Sequence, residues 1–547
     1  MLTVQPLLQH INPSTFLVDY LRAKGIQRLP EYLHPNEDNF DKPRLYPNIE
    51  QAVDCFHKHV QANSKFGVLA DSDFDGQASA SMMVNFLTRL GFEVDKSIVY
   101  FMHTAKQHGL RPSPEENIVQ QVLDSDVNLL FIPDAGSNDT KECSELRSHG
   151  IDIIILDHHE ITVDNPYAIV VNHHLGQGLN TDLPGAGVTL KFIERYCKKF
   201  DEECPYYIDL VASAIISDVC NLSSLENRAY VNEGLNIDTV QNPMLKLMFE
   251  KSCRKGVNPE GLAWGANPLV NSLCRGESYK DKLTFFRAMA LGENTTEGLK
   301  VANRAHRNQT KAVKEIMEKI EPTIDNSHKA IVAFTDAEDK NYTGLVANKI
   351  MSAYGKPVVL LREASSTTWS GSIRSMIPLA SKINESKLAS CQGHEVACGV
   401  FLKKSNLNRF INWLDTLDLS ATPAVPVTAV LSPKEVTIQL SELIDDWKIL
   451  WGAGVEKPQF AMDIVINSNE VNVYEKRTTT IKANYKGLDF LLFFAKDKEV
   501  EAFKNGGKCR VIFDIGLNEW NGVKTPQCII DRYEFIEEKE DNWEDAF

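Results

Sequence analysis

Three things are scarce in this sequence: paired cysteines, long apolar runs and basic charge. The eleven cysteines are scattered, with no CxxC and no zinc-like spacing, so neither a disulfide framework nor a zinc ribbon is expected. No apolar run approaches the length of a membrane span, and no signal peptide is evident, so the expectation is a cytoplasmic protein with reduced thiols. Lys and Arg number 58 against 74 Asp and Glu, a net charge of −16. As a bare sum this argues against a nucleic-acid partner, because phosphate binding relies on Lys and Arg. Metal-binding acids and an acidic tail can nevertheless set that total while a local groove stays basic. What is present is ordinary for a soluble globular chain: 43% hydrophobic and 24% charged over 547 residues, enough for two to four domains.

The most informative stretch is Gly67-Val68-Leu69-Ala70-Asp71-Ser72-Asp73-Phe74-Asp75-Gly76. An apolar strand, Phe66 to Ala70, ends in carboxylates at every second position, followed by Gly and a small-residue helix start. Crowded carboxylates repel and cost desolvation unless something positive neutralises them, and hard divalent cations choose oxygen ligands. Taken alone the stretch also reads as a capped polar turn. The pattern recurs, however. Strands are expected at Asn128–Ile132, Ile151–Leu156 and Tyr167–Val171. The first of these runs into Pro133-Asp134-Ala135-Gly136-Ser137, the second into Asp157-His158-His159-Glu160. A later segment, Leu210 to Ile216, ends in Ser217-Asp218-Val219. Apolar strands alternating with helices describe a parallel sheet covered on both faces, whose ligands sit outside the carboxyl ends of the strands. Four segments thus bring Asp or His to one sheet edge. Each Asp could singly be a helix cap, but together they suit a binuclear metal site acting on a phosphoryl group.

The ordered set ADSDFDG, PDAGS, LDHHE and SDV resembles the motifs of the DHH phosphoesterase superfamily. Leu183-Pro184-Gly185-Ala186-Gly187-Val188, Leu225-Glu226-Asn227-Arg228 and Asn267 through Arg275 resemble segments of the RecJ single-strand-specific exonucleases. The resemblance implies a metal shell of Asp71, Asp73, Asp75, Asp134, His158 and Asp218, with Asp71 either a ligand or a support behind one. It makes Asp157 the orienter of its histidine neighbours, and His159 a ligand or a phosphate contact. His173 and His174 read as loop histidines. Two divalent cations, Mn²⁺ or Mg²⁺, are implied as cofactors. The implied reaction is 5′→3′ hydrolysis of single-stranded DNA to 5′-mononucleotides, in DNA repair and recombination, by a monomer with no membrane association.

The implied architecture is α/β. It has an N-terminal segment (1–45), a parallel-sheet DHH domain (46–296), a connecting helix (297–322), a second α/β, DHH-associated domain (323–420), a C-terminal β-barrel of the OB fold (425–537) and an acidic tail (538–547). In the second α/β domain, Gly371-Ser372-Ile373-Arg374-Ser375 and Gln392-Gly393-His394 resemble the family's phosphate-binding and histidine motifs. Ser372, Arg374, Arg275, Asn271 and Gly393 are then candidates for holding phosphate, and His394 for meeting the scissile group. In the barrel, Tyr474, Lys476, Arg477, Lys482, Tyr485 and Lys486 interleave aromatics with cations, as single-strand stacking surfaces do. The acidic tail resembles the tips by which single-strand-binding proteins recruit partners, which implies a single-strand-binding protein or a replication or repair protein as its own partner. His103, Cys274 and Gln392 depart from the family pattern and bear on how a strand is gripped. Two other readings stay open: a phosphodiesterase or phosphatase for short oligonucleotides or small phosphate compounds, and a catalytically silent DNA-binding scaffold.

Overall fold

The computed structural model describes residues 2–104, 107–112, 116–276, 278–419, 424–476 and 478–536, so Arg477 and the acidic tail lie outside the described residues. Five parallel strands form the first sheet, in the order Ile98–Met102, Phe66–Ala70, Leu129–Pro133, Asp152–Leu156, Ile169–Val171. The edge strand Ile98–Met102 joins the four expected from apolar runs and delivers His103 to the same end as the acids. Apolar side chains lie on both faces because helices cover both. On one face Phe56, fully buried, meets Phe66, Phe131 and Tyr196 with ring centroids 5.7, 5.3 and 4.7 Å away. Leu210 to Ile216 belongs to the helix Ile208–Ser217 and not to the sheet, so Asp218 reaches the sheet edge from a helix C-terminus.

The connecting helix spans Thr295–Ile320. Its cations are largely paired: Arg304 with Asp281 (2.7 Å), Lys311 with Glu315 (3.7 Å), Lys314 with Glu318 (3.6 Å) and Lys319 with Asp336 (3.1 Å). That is the pattern of a solvated face rather than of a strand-gripping one.

Beyond the helix, the second sheet runs Ala389–His394, Ala397–Lys403, Thr368–Arg374, Val358–Glu363, Ile331–Thr335. Only its last pair is parallel. Ser372 and Arg374 therefore stand on an antiparallel strand, opposite Gly399 and Ala397. A third, seven-stranded sheet forms the C-terminal OB unit, its longest strands Gly507–Trp520 and Val523–Phe535 joined through Asn521-Gly522. Both turn residues have positive φ (50° and 76°), as the two-residue hairpin requires. Residues before the first sheet pack on this unit: Val4–Pro6 pairs with Val425–Val427, and Phe16, Tyr20, Leu21 and Tyr32 enter its core. Among the described residues no helix is long and apolar enough to cross a membrane.

A buried ion pair ties this architecture together behind the first sheet. Lys191 Nζ lies 2.8 Å from Glu226 Oε1 and donates to the Asp41 carbonyl at 2.8 Å, both side chains being almost wholly buried. Asn227 next to it bridges Asn180, the Asp182 carbonyl and the Asn221 carbonyl. The expected outcome of Lys191→Met is a loss of about 3–5 kcal/mol, because Glu226 is left charged and unpaired. Urea unfolding checks this, and adding Glu226→Leu should recover most of the loss. A single variant as stable as wild type would show that the pair does not matter.

Candidate metal centre

The helix Phe74–Arg89 begins where the strand Phe66–Ala70 stops, and its first residues place the acids. Asp73 caps it, its side chain accepting from the Gly76 amide at 3.1 Å. Asp75 turns inward, and its two oxygens accept from the Gly185 and Ala186 amides at 2.7 and 2.8 Å. Those amides are the N-terminus of the helix Gly185–Phe200, which favours negative charge. A side chain at residue 185 is excluded, since a Cβ there would lie 2.6 Å from Asp134 Oδ1. The segment Leu183-Pro184-Gly185-Ala186 is thus part of the site, although its residues carry no functional side chain.

His158 Nε2 is the hub. It lies 3.2 Å from Asp134 Oδ1, 3.8 Å from Asp218 Oδ2 and 3.9 Å from Asp75 Oδ2. Donor atoms of Asp75, His158 and Asp218 lie within 4.8 Å of one another, as do those of Asp134, His158 and His159. A further group within the same limit is Asp71, Asp73 and His108. His108 was not anticipated; its imidazole Nδ1 bonds Asp71 Oδ2, on the loop after the edge strand. His103, buried, faces Asp71 Oδ1 at 3.7 Å and is held from behind by Glu116 at 3.1 Å. Its position makes it a support for Asp71. His173, read from the sequence as a loop histidine, is fully buried, its ring 6.5 Å from that of His158, and burial pushes its pKa down to about 4.

Burial raises the carboxyls of Asp71, Asp75 and Asp134 above the ordinary range; neighbouring acids add to this, and nearby histidines partly oppose it at Asp71 and Asp75. Asp218 is pushed up to about 8, by burial first and then by Asp75 and Asp73. Burial lowers His158, so it stays a neutral donor. Asp157 behaves oppositely. Burial alone would raise it, but it accepts from the His158 amide (2.8 Å), the His159 amide (3.1 Å), His159 Nδ1 (2.8 Å) and the Ser137 amide (3.1 Å), and ends well below the carboxylate range. His159 is lifted in return to about 9, chiefly by its bond to Asp157.

A cavity of about 190 Å³ opens on the acids, lined by Asp73, Asp75, Asp218, His108, Asn271 and Arg275. Asn271 and Arg275 stand one turn apart on the helix Ala266–Gly276 and reach it from the same side. Where that helix ends, a Cβ on Gly276 would lie 3.0 Å from Tyr342 Oη of the second domain. There Ser372 Oγ and Thr343 Oγ1 are 2.8 Å apart, and Arg374 Nη2 lies 2.6 Å from where a Cβ on Gly344 would stand. Burial lowers the Arg374 guanidinium, and the like charge of Arg275 contributes to the same shift.

The remaining sequence candidates fall elsewhere. Gln392, rather than His394, lines a cavity of about 360 Å³ with His108, His159 and Asp139. His394 is exposed at the end of its strand, beside Gly393, whose φ of 127° suits only glycine. In the barrel, Tyr474 and Lys476 are exposed, but Lys482 is paired with Asp489 at 2.6 Å and Tyr485 packs on the core. Lys486 lies 5.1 Å from the Tyr485 ring centroid. Tyr474, Lys476 and Lys486 are thus exposed while Lys482 and Tyr485 are engaged, because strand alternation assigns a face but not a partner.

Residues 65–215 match the N-terminal domain of the DHH family, and residues 427–532 match the RecJ OB domain. The chain thus contains a DHH N-terminal domain and a RecJ OB domain. It is 28% identical over 573 residues to YorK of the SPβ prophage in Bacillus subtilis, covering 96% of each chain. To the single-stranded-DNA-specific exonuclease RecJ of B. subtilis it is 23% identical, over 96% of this chain and 69% of that one. In fold it is similar to Mn²⁺-bound RecJ from Thermus thermophilus, with a TM-score of 0.75 at 21% identity, over 98% of this chain and 79% of that one.

The RecJ-like acid cluster sets a pH dependence. A carboxyl held high binds a proton in the folded, metal-free protein over a range where the unfolded chain has released it, so stability falls as pH rises across that range. For Asp218 the range runs from 3.8 to about 8. The expected outcome, read by thermal melts in EDTA from about pH 5 to about pH 8, is that Asp218→Asn gains stability relative to wild type as pH rises. A Tm difference independent of pH would refute the shift.

Proposed function

We propose that this RecJ-like chain is a divalent-metal-dependent exonuclease that hydrolyses single-stranded DNA from its 5′ end and releases 5′-mononucleotides, in DNA repair and recombination. The observation that carries the reading is the meeting, in one cavity, of the acid groups around His158 with Asn271 and Arg275.

The residues fit a pair of hard cations. Asp71 Oδ1 and Asp134 Oδ1 are buried and make no hydrogen bond, an arrangement that costs several kcal/mol unless a cation takes them up. Asp71, Asp73 and His108 would hold one Mn²⁺ or Mg²⁺, and Asp75, Asp134, His158 and Asp218 the other. When bound, such a pair supplies a nucleophilic water at neutral pH and offsets charge on the attacking and leaving oxygens.

The chain's own groups do the rest. Asp157 fixes the rotation of His159 and keeps it protonated at neutral pH, so that it presents a charged N–H to a phosphate oxygen. Asn271 donates from the opposite wall, and Arg275 forks onto the phosphate beside it. Arg374 and Ser372 hold the terminal 5′-phosphate one nucleotide away, which makes the cut exonucleolytic and sets its direction. The OB unit accounts for a long strand as substrate, since a small phosphate compound needs no such surface.

The expected outcome of Asp134→Ala is abolished cleavage of a 5′-labelled strand in Mn²⁺, with binding by anisotropy changed less than about threefold; cleavage near the wild-type rate would dispose of the assignment. Arg374→Ala should raise KM for a 5′-phosphorylated strand by roughly tenfold or more, as loss of a charge-assisted bond worth ~1.5–3 kcal/mol implies, and leave KM for a 5′-hydroxyl strand alone. Equal effects on both strands would take the terminal phosphate away from Arg374.

A further inference from the structure

The turn that brings Asp218 to the acids has a second side. Ser217 and Asp218 line the acid cavity, whereas their neighbours Ile215, Ile216, Val219 and Cys220 line a separate cavity of about 320 Å³. Its far walls are Pro259 and Ala263 on the helix Pro259–Trp264, with Trp451 and Gly452 on the segment leading into the OB unit. Asp514, on the barrel strand Gly507–Trp520, closes it. The cavity is therefore a seam between the DHH domain and the OB unit, one residue away from a side chain of the metal centre.

Its chemistry narrows what it takes. Val219 is β-branched, yet has φ of 56° and is 71% exposed. That conformation is strained for a β-branched residue and persists where the surroundings impose it, often at ligand sites. The rim charges are offset: Lys457 faces Asp514 at 3.8 Å, Lys448 faces Asp445 at 3.6 Å, and Glu260 and Glu456 are engaged by Lys255 and Lys24. Such a rim offers little to a phosphate. The Asp514 carboxyl sits between Lys457 and Gln459, and its Oδ1 is buried without a hydrogen bond, which leaves acceptor capacity on that wall. Trp264, 76% exposed, ends the same helix one turn along from Glu260. An apolar slot with one acceptor suits a group with two π faces and an N–H edge.

We propose that this cavity is a subsite for a nucleobase of the strand being cut, lying on the Asp218 side of the metal centre; for its substrate the proposal rests on the nuclease reading above. The base packs against Val219 and donates from its edge to Asp514, and the strand continues along the seam to the OB unit. Grip on the strand 3′ of the cut then comes from a base and not from the backbone alone.

Ala263 is exposed and touches none of the acids, so Ala263→Trp fills the slot without altering the metal centre. For a strand of roughly 12 nucleotides, the expected result is a rise in KM of about tenfold, in line with ~1–3 kcal/mol per stacked base, with kcat unchanged and a dinucleotide cleaved as by wild type. In wild type, an abasic residue a few positions from the 5′ end should reproduce the loss, and in Ala263→Trp it should add nothing. Asp514→Asn, which keeps the shape, should weaken binding of the intact strand and not of the abasic one. Anisotropy of a labelled strand in EDTA reads the same shifts without catalysis. Unchanged KM and Kd in Ala263→Trp, or an abasic penalty that persists in it, would overturn the subsite. Failure of wild type to cleave any strand would instead overturn the nuclease reading, and the anisotropy arm would still decide the subsite.

Discussion

The acids at the end of the first sheet cannot all be ionised together with only protein around them, and much of the molecule answers that constraint. Two aspartates on the same edge show the alternatives. Asp157 receives four hydrogen bonds and is held far below the usual range. Asp134, equally buried, leaves Oδ1 without a hydrogen bond and is held far above it. The protein neutralises Asp157 with its own donors but supplies none to Asp134 Oδ1, which the proposed function leaves to a cation. Asp75 lies between the two: its oxygens take the helix amides of Gly185 and Ala186, yet burial and its acidic neighbours keep it raised. In the proposed function this division separates residues that orient from residues that bind.

Close approach of backbone is the second consequence. Crowding three segments around His158 leaves no room for a Cβ at Gly76, where it would lie 2.5 Å from Asp71 Cβ, or at Gly185 beside Asp134. Asp134 itself has φ of 68°, a left-handed conformation that aims its carboxyl back toward the hub. The Lys191–Glu226 pair then clamps the helix that presents the Gly185 amide against the helix that follows Asp218. A local charge problem is in this way solved by elements far apart in the chain.

The acids were legible in the sequence because each follows an apolar run, and strand ends are where a parallel sheet places its ligands. His108 was not, because its loop follows an edge strand with no acidic signature and its role depends on meeting Asp71 across the sheet end. The Gly185 and Ala186 amides were also hidden, since residue identity does not announce a backbone donor. In the second domain the motifs around Ser372 and Gly393 were visible, but their antiparallel strands were not, being half exposed and without a continuous apolar run. In the barrel, alternation put Lys482 on an outer face but could not show Asp489 opposite it. Pattern gives the face, whereas pairing needs the fold.

The basic side of the cleft mirrors the acidic one. Arg275 reaches the acid cavity from the helix Ala266–Gly276, and Arg374 is held at the start of the helix Thr343–Tyr354, with burial lowering both guanidiniums. Arg275 adds like-charge repulsion at Arg374 rather than relief, and Asp73 is the acid that favours the charge on Arg275. Two half-buried guanidiniums that repel, across a seam where Gly276 meets Tyr342, would be stabilised by an anion that both can fork onto. Acids in want of cations and arginines in want of an anion therefore face one another within a single cleft. The substrate of the proposed function, a phosphodiester chain, would satisfy both at once, its scissile phosphate with the acids and their ions and its terminal phosphate with the arginines. A neutral ligand would satisfy neither.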